Sequence, residues 1–432
     1  MRLAKILDWL DIARPLALYA LVLTGYAFWS LSLTDPNLVY TSWPPYLRLQ
    51  QWFWQVIFPN RPLLTGLYLG LMGLLWLSLS LIWSTAKNWH FGWRKWSLIW
   101  LITCSPLLLA NNALSHDVFN YIFNAKMVAV YHVNPHIQVA LDFKTDPLTR
   151  FMHNTHTPAP YGYGWTFFSL LPFGLSFGKF ILAWWWFKWL NVIGTVLLIW
   201  LLMRLHQQIF GVKISAQDLV LVIFNPLFVI EFLGNSHNDL WLLMPALAAF
   251  YLVQNWLNQV KSPNLTKLLL SLGLLGFSIS TKFVTVLLVP IWATCAAWSL
   301  PLASKLQHQI NHQLKQFETL TGLTFTWQTY WPLLTSFILF APLFTGRSQQ
   351  FLPWYWSWVL IWLPFLRLKW WRQVIVAFSL SSLLRYLPWL WAGNYDGPVL
   401  TQQRLITWVI PLLWLLIYRG WEQYLYHLKR KT

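Results

Sequence analysis

The densest chemistry in the chain is one polar run, Asn111-Asn112-Ala113-Leu114-Ser115-His116-Asp117, continued by Val118-Phe119-Asn120-Tyr121-Ile122-Phe123-Asn124-Ala125-Lys126. Wound as a helix, it puts Asp117, Asn120, Tyr121 and Asn124 at i, i+3, i+4 and i+7 on one face, with Val118, Phe119, Ile122 and Phe123 on the other. A carboxylate at the head of such a stripe can take a proton from a reacting hydroxyl. The plainer alternative is a helix cap, since Ser115 and Asp117 both suit a helix start. Two further clusters favour the chemical reading. Glu231 precedes Asn235-Ser236-His237-Asn238-Asp239 by one to two turns, and Lys282 follows Ser280-Thr281 between two apolar runs. A lone Lys there can snorkel, but with Arg347 beside it, it can also hold a phosphate through charge-assisted hydrogen bonds.

Such a set suits a substrate that is half lipid and half polar, such as a sugar joined through phosphate to a long isoprenoid. The acceptor hydroxyl would lose its proton to Asp117, and Lys282 and Arg347 would steady the departing phosphate. A single displacement inverts the anomeric centre, and no second carboxylate is evidently placed for a covalent intermediate. No metal or other cofactor is expected. His153 and His156 form only an i, i+3 pair without a carboxylate at metalloprotease spacing, and Cys104 and Cys295 lie singly in apolar runs.

These residues must be positioned by membrane helices. Of 432 residues, 57% are hydrophobic and only 10% charged, where a soluble domain carries roughly a quarter charged. A span needs roughly 20 apolar residues, and the runs near 13–33, 62–84, 97–113, 179–203, 216–233, 239–256, 266–281, 283–300, 328–345, 353–366, 373–391 and 399–418 predict about 12 helices. Nineteen of the 30 basic residues fall at the two ends and in alternate links, which makes that side cytoplasmic and places both termini there. The charge of +18 is thus mainly a topology signal, and no basic cluster with a stacking module points to nucleic acid. The first apolar run lacks a small-residue cleavage site and reads as an uncleaved helix. The opposite, extracytoplasmic face receives the 113–178 loop and six of the 12 acids, Asp35, Asp117, Asp142, Asp146, Asp239 and Asp396. Acids at a membrane edge are functional candidates by default.

The ordered motifs HDVFNYIFNAKMVAVYHVNPH, PYGYGWTFFSLLPF, NPLFVIEFLGNSHNDLW, STKFVTVLLVPIW and QQFLPWYWSW, spread over 105–365, resemble the GT-C superfamily of integral-membrane glycosyltransferases. Within it the chain is most similar to bacterial polyprenyl-phosphomannose-dependent mannosyltransferases, including the α-1,6 type. The resemblance implies one all-α polytopic membrane domain over 1–432 with extracytoplasmic amphipathic helices. It also implies a polyprenyl-phosphate sugar donor and a glycan or glycolipid acceptor. Asp117 would be the catalytic base, with Lys282 and Arg347 on the donor phosphate. The surrounding substrate-binding set is His116, Asn120, Tyr121, Asn124, Lys126, Tyr161, Glu231, His237, Asn238 and Asp239. The chain departs from the family pattern at Asn124-Ala125-Lys126 and at Tyr163, which bears on sugar and acceptor choice more than on reaction class. A lipid-linked sugar flippase and an O-antigen-type polymerase or ligase are the competing readings. The first should show inverted repeats, and none is visible; the second should rely on Arg and His in its outer loops.

Overall fold

The computed structural model of the protein describes residues 2–257, 265–298, 304–322, 324, 326–345 and 351–431, and every regular element among them is helical. In chain order these are α1 (Arg2–Ser30), α2 (Pro44–Trp52), α3 (Arg61–Thr85), α4 (Trp93–Cys104), α5 (Asp117–Ala129), α6 (Tyr163–Gly174), α7 (Phe180–Phe210), α8 (Ala216–Ile223) and α9 (Pro226–Val229). There follow α10 (Asp239–Leu257), α11 (Leu265–Thr281), α12 (Val289–Ala297), α13 (Ser304–Thr321), α14 (Trp327–Phe340), α15 (Ser357–Leu360), α16 (Lys369–Leu384), α17 (Leu387–Ala392) and α18 (Gly397–Lys431).

Five stretches are long and apolar enough to cross a membrane, 11–33, 61–88, 180–210, 369–392 and 397–424, and a sixth arises if the bent pair 216–223 and 226–234 is one span. The other runs expected to span form shorter helices or turns, so about 12 full crossings are not what the described residues display. Proline and local polarity account for the shortening. The run after residue 97 stops as α-helix at Cys104, where Ser105-Pro106 tightens the chain into a 3-10 turn, and 353–366 is cut into short turns starting at Pro353 and around Pro364. Outward faces stay apolar, as lipid contact requires: on α18, Leu416 and Ile417 are 69% and 72% exposed. The chain is accordingly a membrane protein.

The bent pair carries one wall of the site. Pro226 has no N–H to donate, so the helix breaks after Phe224, and Asn225 restarts it by accepting from Leu227 N at 3.0 Å. The carbonyls freed at the break are met by side chains: Trp100 Nε1 donates to Ile223 O at 2.8 Å and Tyr19 OH to Phe224 O at 2.6 Å. Inside a membrane such groups have no water to turn to. This is one specific use of the chain's many aromatic residues. The pair then passes into a π-helical turn, Ile230–Gly234, that contains Glu231. Turns of this kind insert an extra residue and are frequent at functional sites.

α16 runs alongside in the same sense. Arg372 pairs with Asp218 near the starts of α16 and α8, Asn225 Nδ2 reaches Ser379 Oγ at 3.0 Å, and Tyr386 OH reaches Glu231 at 3.0 Å. The N-terminus of α5, the residues after Glu231, the end of α11 and the end of α16 therefore gather at one end of the bundle.

Candidate active site

α5 begins at Asp117 with His116 in the cap position and no side-chain cap, Ser115 Oγ accepting only from Asp117 N at 3.3 Å. The Asp117 carboxylate caps nothing, and its Oδ2 lies 3.3 Å from His237 Nδ1. It remains 21% exposed, whereas the imidazole is fully buried.

His237 stands between two acids. Its other ring nitrogen, Nε2, is 3.2 Å from Glu231 Oε2, and its ring stacks on Trp354 at 3.8 Å between centroids. Both carboxylate contacts are ion pairs by distance rather than hydrogen bonds. Glu231 is fixed by the Asn235 amide at 2.9 Å and by Tyr386 OH. The chain turns sharply at Ser236, whose φ of 60° is in the left-handed region, a conformation that side chains adopt at a cost of order 1 kcal/mol or more. Lys188 holds this turn from behind. Fully buried in α7, its ammonium donates to Leu107 O at 3.1 Å, Leu233 O at 2.9 Å and Gly234 O at 3.1 Å. A lone Lys in the aromatic run Trp184-Trp185-Trp186-Phe187-Lys188 was the only sequence sign of it.

The second charged pair is Asp239 with Lys282. Asp239, first residue of α10, accepts from Lys282 Nζ at 2.7 Å and from Trp358 Nε1 at 2.7 Å. Lys282 therefore faces the site with its charge already matched, and its ammonium lies 5.9 Å and 5.8 Å from the rings of Tyr161 and Tyr355. Tyr161 reaches the site because the two glycines after it permit a close backbone approach. A Cβ on Gly162 would lie 1.9 Å from Ser280 O, and one on Gly164 2.0 Å from Ser280 Oγ. Gly162 N instead donates to Thr281 O at 2.9 Å. The Pro-Tyr-Gly-Tyr-Gly motif is thus docked on the residues just before Lys282.

The electrostatics follow from these neighbours. Burial by itself would discharge His237, but Asp117 and Glu231 outweigh it and push the imidazole up to about 9. Burial also works against the Asp117 charge, yet contact with His237, the field of Lys282 and Tyr161 together hold the carboxyl below its ordinary value. Asp117 is accordingly an ionised, partly open carboxylate at neutral pH. Near it are amide atoms with no partner among the described residues. Both side-chain polar atoms of Asn238 and the Oδ1 of Asn120 are buried without a hydrogen-bond partner, as is Ser236 Oγ. Tyr121 OH, by contrast, accepts from Asn238 N at 3.3 Å.

The remaining expected residues lie further off or elsewhere. Asn124 is buried on α5. Lys126 is ion-paired with Asp146, which also accepts from Tyr131 OH at 2.7 Å, so its charge belongs to the loop. His116 stacks on His153 at 4.0 Å and contacts Phe151 O at 2.9 Å; burial and the neighbouring imidazole lower it to about 4. Arg347 lies outside the described residues. No group of three or more His, Cys, Asp or Glu side chains that could hold a metal ion occurs among the described residues. A cleft of about 540 Å³ lies between Asn37 and the 141–155 loop and shares no residue with the Asp117 cluster. Trp354, Trp358, Tyr386 and Lys188 complete the site without having been expected.

Over residues 41–299 the chain matches the family described as alpha-(1->6)-mannopyranosyltransferase, N-terminal domain. That span contains Asp117, Lys188, Glu231, His237, Asp239 and Lys282, and stops before Trp354. No curated protein and no solved structure matches the chain.

Proposed function

The chain belongs to the alpha-(1->6)-mannopyranosyltransferase family, a glycosyltransferase family of the GT-C type that transfers mannose, and from that premise we propose a donor, a base and a course for the reaction. The donor is a polyprenyl-phosphate-linked mannose, the acceptor an extracytoplasmic glycan or glycolipid, and the site faces the extracytoplasmic side with both termini in the cytoplasm. The observation that carries this reading is the partly open Asp117 carboxylate, kept ionised by His237, together with the nearby Asn238 side chain and Asn120 Oδ1, which have no hydrogen-bond partner among the described residues. Buried amides without partners are what a polyhydroxylated ligand would satisfy.

In the reaction an acceptor hydroxyl sits against Asp117. As its oxygen bonds to the anomeric carbon, its proton passes to the Asp117 carboxylate, and the bond from that carbon to the phosphate oxygen breaks with its electron pair leaving on the phosphate. Attack and departure occur on opposite faces, so the configuration inverts. A strong base is not required, because an oxocarbenium-like centre acidifies the hydroxyl late, and a fixed negative charge beside that centre also stabilises it. His237 keeps Asp117 available as the anion, and Lys282 with Asp239 holds the opposite wall. Tyr161 and the α5 amides orient the sugar.

The test is Asp117→Asn in purified protein supplied with polyprenyl-phosphomannose and an acceptor. Loss of a positioned base removes about 10²- to 10⁴-fold of rate, with the unfolding temperature kept. Full transfer by this variant would remove the assignment.

A further inference from the structure

The charges assembled around Asp117 do not favour a phosphate. Among the described residues three carboxylates, Asp117, Glu231 and Asp239, are matched by His237 and Lys282, with the Lys188 ammonium behind the turn, which leaves no surplus positive charge for the negative one the proposed donor must bring. Lys282 is occupied by Asp239, and Lys188 spends its ammonium on three carbonyls. Among the described residues, a cation with unused donors has to come from elsewhere.

Arg385, at the end of α16, meets that need. It is 5% exposed, and its Nη1 donates to Thr407 Oγ1 at 3.0 Å. The guanidinium lies 5.7 Å from the Phe351 ring, and no carboxylate is within ion-pair distance of it among the described residues. A guanidinium has five N–H donors in a planar fork suited to carboxylate or phosphate, and a buried charge left uncompensated is costly. Arg404 on α18 adds a second positive charge near it. Its chain neighbours lead to the reaction centre: the next residue, Tyr386, bonds Glu231, and three residues beyond Phe351 is Trp354, which stacks on His237. None of the sequence motifs drew attention to it, and it lies beyond the 41–299 span of the family match.

We propose that Arg385 is a phosphate-binding residue for a lipid substrate, engaging the phosphate that links the isoprenoid to its sugar. It rests on the donor assigned above. The shared chemistry is a lipid phosphate, which could also be the headgroup of a surrounding phospholipid, and the experiment separates the two.

Full-length protein in neutral detergent is titrated with polyprenyl monophosphate, with polyprenol of equal length and with phosphatidylglycerol, binding being read from tryptophan fluorescence, for wild type, Arg385→Gln and Arg385→Lys. The expected result is tenfold or greater weakening of polyprenyl monophosphate binding in Arg385→Gln and a few-fold weakening in Arg385→Lys, with polyprenol binding unmoved. Equal weakening for phosphatidylglycerol would overturn the donor assignment in favour of a surrounding lipid. A folded Arg385→Gln protein that binds polyprenyl monophosphate as wild type does would overturn the site altogether. If Arg385→Gln does not fold, the Lys variant decides: unchanged affinity there refutes the proposal, and a selective loss supports it. No transfer is measured, so failure of the Asp117→Asn test and failure of this one are separate events.

Discussion

Replacing His237 with Gln removes the charge that keeps Asp117 ionised while retaining a side chain of similar length. The imidazole nitrogen is 3.3 Å from the carboxylate oxygen, and an opposite charge this close lowers a carboxyl by about 1 to 3 pH units. Asp117 is 21% exposed, so solvent screens part of this effect and puts it toward the lower end of that general range. In the variant the opposing effect of burial remains, and the Asp117 transition should move upward. The assay is kcat/KM for mannosyl transfer from the lipid donor between pH 4.5 and 8. Wild type should hold its rate down to about pH 5, because its carboxyl lies below the ordinary value, while the variant should begin to lose rate at a higher pH than wild type. A uniform loss of rate at all pH values would refute the electrostatic role, even if the loss were large. Stability supplies a second, independent readout. The folded imidazole holds its proton up to about 9 against an ordinary value of about 6.5. Its contribution is therefore complete below about 6.5 and lost as pH rises through about 9. Wild type should lose unfolding temperature across that window and the Gln variant should not.

Gly162→Ala should cost at least tenfold in transfer, because its Cβ would meet Ser280 O at 1.9 Å and displace Tyr161 by about 1 Å, a misplacement that can cost roughly 100-fold; unimpaired transfer would show that the loop has room. Asn238→Ala should alter unfolding free energy by about 1 kcal/mol or less, since no intramolecular hydrogen bond is lost, yet raise KM for a mannosyl substrate at least tenfold; parallel losses in stability would mark the amide as structural. Lys282→Met strands the fully buried Asp239 carboxylate and should destabilise by about 3 kcal/mol or more, as read by denaturant unfolding. Lys282→Met with Asp239→Asn should recover much of that loss, and a single variant as stable as wild type would contradict the pairing.

The spacing of Asp117, Asn120, Tyr121 and Asn124 was enough to place a polar stripe on one helix, because a helix repeats every 3.6 residues whatever surrounds it. Ser115 and Asp117 were indistinguishable as caps on paper, and only the turn preceding α5 decided that His116 takes the cap position and neither side chain caps, leaving the Asp117 carboxylate free. The same limit applied to Lys282. Its type and location at the end of an apolar run were visible, but its partner is Asp239, 43 residues away, and ion pairing at that separation depends on how α10 and α11 pack. Lys126 looked like a member of the site by helical register and was drawn off by Asp146.

Composition and hydropathy determined that this is a helical membrane protein, because a chain with so few charges has no soluble way to cover its surface, and the ordered motifs identified its family. How many of its apolar runs become full-length helices was decided only on folding, since Pro and polar residues break a run where tertiary partners such as Trp100 and Tyr19 can satisfy the freed carbonyls. Tertiary structure alone also brought Glu231, His237 and Asp117 into line, with Lys188 tying down the turn between them. The physical reason is that charge balance is a sum over neighbours from α5, α7, α10, α11 and α16, and no local pattern in the sequence records which neighbours those are.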